Sequence, residues 1–158
     1  MEGVNRALRH ASKPAVIPIL RRFGAHIGES CDIEAPLVIH NAKGSYANLT
    51  IGAHCHIGKE AFIDLTDRVT IGARVTISMR ATLLTHMDVG RSPLLDQFPP
   101  SQASLRLGEG CYIGTNAVLL AGSDIGESAM IGASALVTKP VPPRSVVGGV
   151  PARPMRTL

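Results

Sequence analysis

LGEGCYIGTNAVLLAGSDIGESAMIGASALV, residues 107–137, repeats itself every six positions. Leu107, Ile113, Leu119, Ile125, Ile131 and Val137 are aliphatic. Gly108, Gly114, Gly126 and Gly132 follow four of them, and small residues (Cys111, Ala117, Ser123, Ala129, Ala135) stand four places after each aliphatic. A period of six matches neither the 3.6 of an amphipathic helix nor the 2 of a half-buried strand. It fits a β-solenoid in which each six-residue unit is one short strand and one turn. The aliphatic and the small residue point inward, and three units make one triangular coil. Stacked coils then bury a continuous aliphatic column. The glycines are read as turn residues, because glycine tolerates positive φ.

The same period runs through Ile27, Ile33 and Ile39, then Ile51, Ile57 and Ile63, then Ile71, Ile77 and Leu83, with an insertion near Asp67. Two stretches depart from it. HNAKGSYAN, residues 40–48, keeps a spacing of twelve between Ile39 and Ile51 and reads as one irregular side of a coil. MDVGRSPLLDQFPPSQASLR, residues 87–106, reads as a loop ejected from the coil. Loops of that length are usually functional or disordered. Leu94, Leu95 and Phe98 suggest that it folds over something, such as a neighbouring subunit.

Residues 1–23 lie before the repeat and read as a cap segment. VNRALRHA predicts a short helix ended before Pro14, with Val4, Ala7, Leu8 and Ala11 on one face and Arg6 and Arg9 beside it. A cap over the open end of the solenoid is preferred to a basic contact with a membrane or partner. Residues 24–147 form the β-helix domain, including loop 87–106. After Val137 the prolines at 140, 142 and 143 take the chain out of the repeat, and residues 148–158 form an extended tail.

The chain has 158 residues, enough for one sizeable core, and only 3% aromatics with no Trp. That matches a core of aliphatic and small residues. The formal net charge of +4 suits an anionic small ligand as well as nucleic acid, but a basic helix with interleaved aromatics is missing, so nucleic acid is not expected. Three widely spaced cysteines without a CxxC argue for a reducing compartment. All three fall at the small inward position, so packing is a better reading than a catalytic thiol. No signal peptide is visible, and AVIPIL is too short to span a bilayer. A cytoplasmic location is expected.

The sequence resembles the hexapeptide-repeat acyltransferases from about Phe23 onward. THMD (85–88) followed by a loop, IGTNAVLLAGSDIG (113–126) and VTKPVPPRSVVGGVPARPMR (137–156) are similar to the maltose, galactoside and nodulation-type O-acetyltransferases. LRRFGAHIG (20–28) and FIDLTDRVTIG (62–72) look closer to the exopolysaccharide, colanic-acid-type branch. The resemblance implies an all-β, left-handed parallel β-helix, although general crossover rules favour the right hand. It also implies a homotrimer with active sites between subunits, and acetyl-coenzyme A as co-substrate with no metal.

Acetyl transfer from a thioester to a hydroxyl needs a base with a pKa near neutrality. His86, at the end of the last regular unit before the loop, has the right chemistry. A histidine in such a place is ordinarily a surface residue; the resemblance assigns it the catalytic role. A base works best with one tautomer fixed. Asp64, which replaces the glycine after an inward isoleucine, is a candidate orienter, and equally a turn aspartate bonding local backbone. Asp88 reads as loop structure or acceptor site. Coenzyme A is anionic at one end and thin along its arm. Lys139, Arg153 and Arg156 match the nucleotide end by resemblance, with Arg144 a further possibility. Gly114, Thr115, Ala133 and Thr138 match positions lining the arm, and Tyr112 stands where many relatives carry Trp. The function expected is acetyl-coenzyme A-dependent O-acetyl transfer to a sugar or saccharide hydroxyl by direct attack, in peripheral proximity to the inner membrane surface if the acceptor is lipid-linked. The alternatives are a non-catalytic scaffold and a carbonic-anhydrase-like zinc lyase using His54, His56 and His86 across a subunit boundary. The lyase's usual histidine spacing is missing, so no metal is expected.

Overall fold

The computed structural model describes residues 2–42 and 44–158, with the side chains of residues 2–4 outside that description. Short parallel strands form three faces of a triangular left-handed β-helix of about six turns. The first face stacks His26–Ile27, Leu49–Ile51, Val69–Ile71, Leu105–Leu107 and Asp124–Ile125. The second stacks Asp32–Ile33, His56–Ile57, Thr76–Ile77, Tyr112–Ile113, Met130–Ile131 and Ser145–Gly148. The third stacks Val38–His40, Phe62–Asp64, Thr82–Leu83, Val118–Leu119 and Leu136–Val137. The aliphatic of each unit pairs in register with the one a coil away, as Ile57 does with Ile77 and Ile113 with Ile131.

These side chains fill the prism. Ile33, Ile57, Ile77, Ile113, Ile131 and Val147 line the second face, none more than 4% exposed. Each buried aliphatic contributes about 1.5–3 kcal/mol. The small inward residues are buried with them, Cys55 and Cys111 included, while Cys31 is half-buried. Burial pushes the Cys111 thiol up to about 12, the wrong direction for a nucleophile.

The repeat glycines serve a different purpose from the one expected. Positive φ falls two residues later, at Ser30, His54, Glu60, Arg74, Gly110, Asn116, Ser128 and Ser134. The glycines instead sit where adjacent coils touch. A Cβ on Gly52 would lie 2.5 Å from the Ala73 nitrogen, and one on Gly58 2.6 Å from the Met79 nitrogen. Backbone against backbone leaves no room for a side chain.

The two ends also differ from expectation. The cap is two helices, α1 (Glu2–Arg9) and α2 (Lys13–Arg22). Pro14 starts the second helix, where its missing N–H costs nothing, rather than ending the first. Leu8, Val16 and Leu20 are buried in the mouth of the solenoid. Ala7 is exposed, contrary to the expected face, and Val4 lies outside the described side chains. At the other end the repeat continues past the prolines. Val141 bridges to Ile125, and Ser145–Gly148 pairs in parallel with Met130–Ile131. Arg153–Thr157 then folds back antiparallel on Ser145–Gly148, so the tail is a paired strand over the last coil. Among the described residues no helix is long and apolar enough to cross a membrane.

Candidate active site

A regular step from the third face to the first takes six residues, as from Leu119 to Ile125. Ile39 to Ile51 takes twelve, Ile63 to Ile71 eight and Leu83 to Leu107 twenty-four. Yet Ile27, Ile51, Ile71 and Leu107 stack in register on the first face. Every departure from the repeat in the first three coils therefore bulges from the same corner. Residues 40–48 are thus a corner insertion, not an irregular side. Tyr46 turns back into the core and Ala42 is buried with it. The ejected loop is a hairpin at its base, with His86–Met87 antiparallel to Ser101–Gln102 and a 3₁₀ turn at Pro93–Asp96. Its Leu94, Leu95 and Phe98 are exposed in the single chain.

Stacking three insertions on one corner brings together residues far apart in sequence. His86 Nδ1 lies 2.6 Å from Asp64 Oδ2. Asp64 is fully buried and sits one coil below, at the end of its third-face strand. Its Oδ2 also accepts from the Thr85 N–H at 2.9 Å and the Thr85 hydroxyl at 2.8 Å. Its Oδ1 accepts from the Thr66 N–H at 3.2 Å and the Thr66 hydroxyl at 2.8 Å. Asp64 is thus both the turn aspartate and the histidine's partner, the two readings that its position in the repeat left open. Burial pushes its carboxyl up. The bonds from His86, Thr85 and Thr66 outweigh that and hold it well below the usual carboxylate range.

An ionised Asp64 accepts the Nδ1 proton of His86, which leaves Nε2 as the ring's acceptor. Among the described residues Nε2 has one hydrogen-bond partner, Asn41 Nδ2 at 3.4 Å, and Asn41 also donates to the Thr66 hydroxyl at 3.0 Å. His40 stacks on the His86 ring with centroids 6.3 Å apart. Asn41, Thr66, Thr85 and His40 were not picked out from the sequence. The signal that finds them is the alignment of the three insertions when the inward residues are counted in threes.

The other candidates are dispersed. Asp88 is exposed in the hairpin and accepts from the Gly90 N–H at 2.6 Å, a local turn. Tyr112 projects from the second face, its hydroxyl 2.9 Å from the Ser78 Oγ. Gly114, Thr115 and Ala133 sit at the corner between the second and third faces. The N–H groups of Thr115 and Ala133 have no partner among the described residues. Gly114 is explained by coil contact alone, since a Cβ there would lie 2.6 Å from the Ala133 nitrogen. Thr138 and Lys139 are exposed at the His86 corner two coils higher, and Arg153 and Arg156 are exposed on the terminal strand. Arg144 donates to the Leu158 carbonyl. Within one chain the three histidines of a zinc site do not converge. His54 is at the corner between the first and second faces, and His56 lies on the second face, 3.0 Å from Asp32.

Comparison with known proteins agrees with this architecture. Residues 104–139 match the family model described as the hexapeptide repeat of succinyl-transferase. The chain is 28% identical to the galactoside O-acetyltransferase of Escherichia coli over 146 residues, 89% of this chain and 67% of that protein. It is 30% identical to the putative colanic acid biosynthesis acetyltransferase WcaF of Escherichia coli over 135 residues, 85% of this chain and 70% of that protein. In fold it is similar to a hexapeptide-repeat acetyltransferase of Vibrio cholerae solved with acetyl coenzyme A. The TM-score is 0.85 at 22% identity, over 99% of this chain and 84% of the other. It is also similar to a galactoside acetyltransferase solved with coenzyme A, with TM-score 0.84 at 24% identity, over 99% and 78%. With repeat, fold and relatives in agreement, this chain belongs to the hexapeptide-repeat acyltransferases.

Proposed function

We propose that the protein transfers an acetyl group from acetyl-coenzyme A to a hydroxyl of a sugar or saccharide, with His86 as general base. The observation that carries the reading is the 2.6 Å contact between His86 Nδ1 and a buried, ionised Asp64. It fixes the tautomer whose Nε2 is a base. Nε2 takes the proton of the acceptor hydroxyl as that oxygen attacks the thioester carbon. The new C–O bond forms, the C–S bond breaks, and the proton held on His86 passes to the departing thiolate. Backbone N–H groups stabilise the oxyanion. Asp64 acts as a positioning residue, and Thr66, Thr85 and Asn41 keep it and the ring in place. The exposed Lys139, Arg153 and Arg156, which meet no carboxylate among the described residues, suit the phosphates of the donor. The unpaired N–H groups of Thr115 and Ala133 suit the amides of its arm.

The working unit in this reading is a homotrimer in the cytoplasm, with each site between two subunits. The third face supports it. Its outward row, Val38, Phe62, Thr82, Val118 and Leu136, is mostly apolar, whereas the first face carries His26, Thr50, Thr70, Arg106 and Asp124. The test is thiol release from acetyl-coenzyme A across a panel of sugar acceptors, comparing wild type with His86→Ala. The expected loss is about 10²–10⁴-fold. A wild type that neither turns over nor binds coenzyme A would leave the chain a scaffold and overturn the reading.

A further inference from the structure

The first 24 residues contain Arg6, Arg9, Lys13, Arg21 and Arg22 against Glu2, a formal charge of +4. That equals the net charge of the whole chain, because residues 25–158 carry eleven cations and eleven carboxylates. The cap thus holds the entire excess. Two of its cations are engaged by the solenoid. Lys13 pairs with Asp32 at 2.6 Å and Glu34 at 2.5 Å, and Arg21 donates to the carbonyls of Ile27 and Gly28 at 2.9 and 3.1 Å. Arg6, Arg9 and Arg22 remain exposed, without a carboxylate partner among the described residues. On α1, Arg6 and Arg9 lie roughly 100–160° round the helix from buried Leu8. On α2, exposed Pro18 and Arg22 lie opposite buried Val16 and Leu20.

We propose that this outer surface of the helical cap docks the protein on an anionic phospholipid membrane. The apolar side of both helices is already committed to the mouth of the solenoid, so the cap has little left to insert between lipids. The attraction is therefore one of charge, weak per cation and sensitive to salt. Cyclic assembly strengthens it. In a trimer with closed symmetry the three caps stand at the same height on the axis, and a flat surface engages all three while a small anion meets one. That multiplication rests on the trimer proposed above; the docking surface itself does not.

The cap also adjoins the candidate site. The Tyr46 hydroxyl donates to Asn5 of α1 at 3.1 Å, and Tyr46 belongs to the same corner insertion as Asn41, which touches His86. The third-face strand preceding His86 is two strands above the one in the first coil, about 10 Å along the axis at the usual strand spacing. A docked cap would hold that corner close to the lipid headgroups. On the acyltransferase reading this favours an acceptor saccharide that is itself anchored in the membrane.

The test is co-sedimentation of the full chain with vesicles of pure phosphatidylcholine or with about one-third phosphatidylglycerol. It is run at low and high salt, with the oligomeric state measured by analytical ultracentrifugation. Each cation near an anionic surface is worth about fivefold in partition. Arg6→Gln/Arg9→Gln/Arg22→Gln should therefore lose about 100-fold per subunit. Arg74→Gln/Arg80→Gln/Arg106→Gln, which removes the same charge from the solenoid wall, should lose far less. Binding that needs phosphatidylglycerol, disappears at high salt and depends on the cap supports the proposal, whether the chain is a trimer or a monomer. Absence of wild-type binding, equal losses in the two variants, or equally tight cap-dependent binding to a single-stranded polynucleotide overturns it. Coenzyme A binding, measured separately, keeps this outcome distinct from the fate of the enzymatic reading.

Discussion

Asp64→Asn tests the logic of the site most directly. Five donors converge on the two carboxylate oxygens: the Thr66 N–H and hydroxyl on Oδ1, and the Thr85 N–H, the Thr85 hydroxyl and His86 Nδ1 on Oδ2. An amide has one acceptor oxygen, so either orientation points its NH₂ at a backbone N–H. Turned toward Thr85 and His86, the NH₂ also forces the ring proton from Nδ1 to Nε2 and blocks the base. Turned toward Thr66, it leaves the Thr66 N–H unpaired. An unsatisfied buried donor costs about 1–3 kcal/mol, and losing the charged partner of a hydrogen bond costs a comparable amount. The sum, about 2–6 kcal/mol, corresponds to a melting temperature roughly 6–18 °C lower for a chain of this size. In the first orientation turnover falls about 10²–10⁴-fold, in line with losing a general base, and in the second the ring keeps its tautomer and turnover falls less. Thermal melts read the first effect and thiol release the second. The ¹⁵N shifts of the His86 ring report the tautomer without any acceptor. A variant that melts with wild type and turns over within about threefold of it would refute the reasoning.

Gly58→Ala places a Cβ 2.6 Å from the Met79 nitrogen, whereas in Gly132→Ala the nearest atom is the Val147 carbonyl oxygen at 3.3 Å. Denaturant melts should show about 3 kcal/mol lost in the first and under about 1 in the second; equal losses would remove the coil-contact explanation. The Asp64 carboxyl is depressed in the folded state, so its contribution to stability is full above the unfolded carboxylate pKa of about 3.9 and is lost as pH falls through the folded value. Wild type should therefore lose stability in acid more steeply than Asp64→Asn, and parallel pH–stability curves would contradict the shift. Val118→Glu puts a charge in the outward row of the third face and should yield monomers at micromolar concentration with the far-ultraviolet spectrum unchanged. A trimer that persists would move the interface to another face.

Much of the fold was legible because a solenoid repeats one local rule. The inward aliphatics and the small positions, cysteines included, are facts of period, and period survives in a single sequence. The role of the glycines was not. Ile-Gly pairs look like turns along the chain, whereas the contact that forbids a Cβ joins residues about twenty apart, such as Gly58 and Met79. The same limit hid Asn41, Thr66 and Thr85, which meet His86 and Asp64 only because insertions of unequal length stack on one corner. Asp64 stood out because it interrupts the pattern, and His86 because THMD matches the family resemblance. The ends misled for a different reason. Pro14 starts a helix as readily as it stops one, and Val141 and Val147 keep their inward places across a coil shortened by prolines.

The stacked coils also make the molecule a ruler. Each turn advances the chain by about 4.8 Å, the spacing of paired strands. His86 leaves the third coil, Lys139 the fifth, and Arg156 pairs with Val146 in the sixth. The height between the histidine and the terminal cations is therefore graduated in whole coils, each paired to its neighbours strand on strand. Deleting or duplicating one regular coil, such as residues 108–125, would shift that height by one graduation while leaving the corner chemistry intact. The gap between the two ends of a bound molecule is in this way written as a number of repeats.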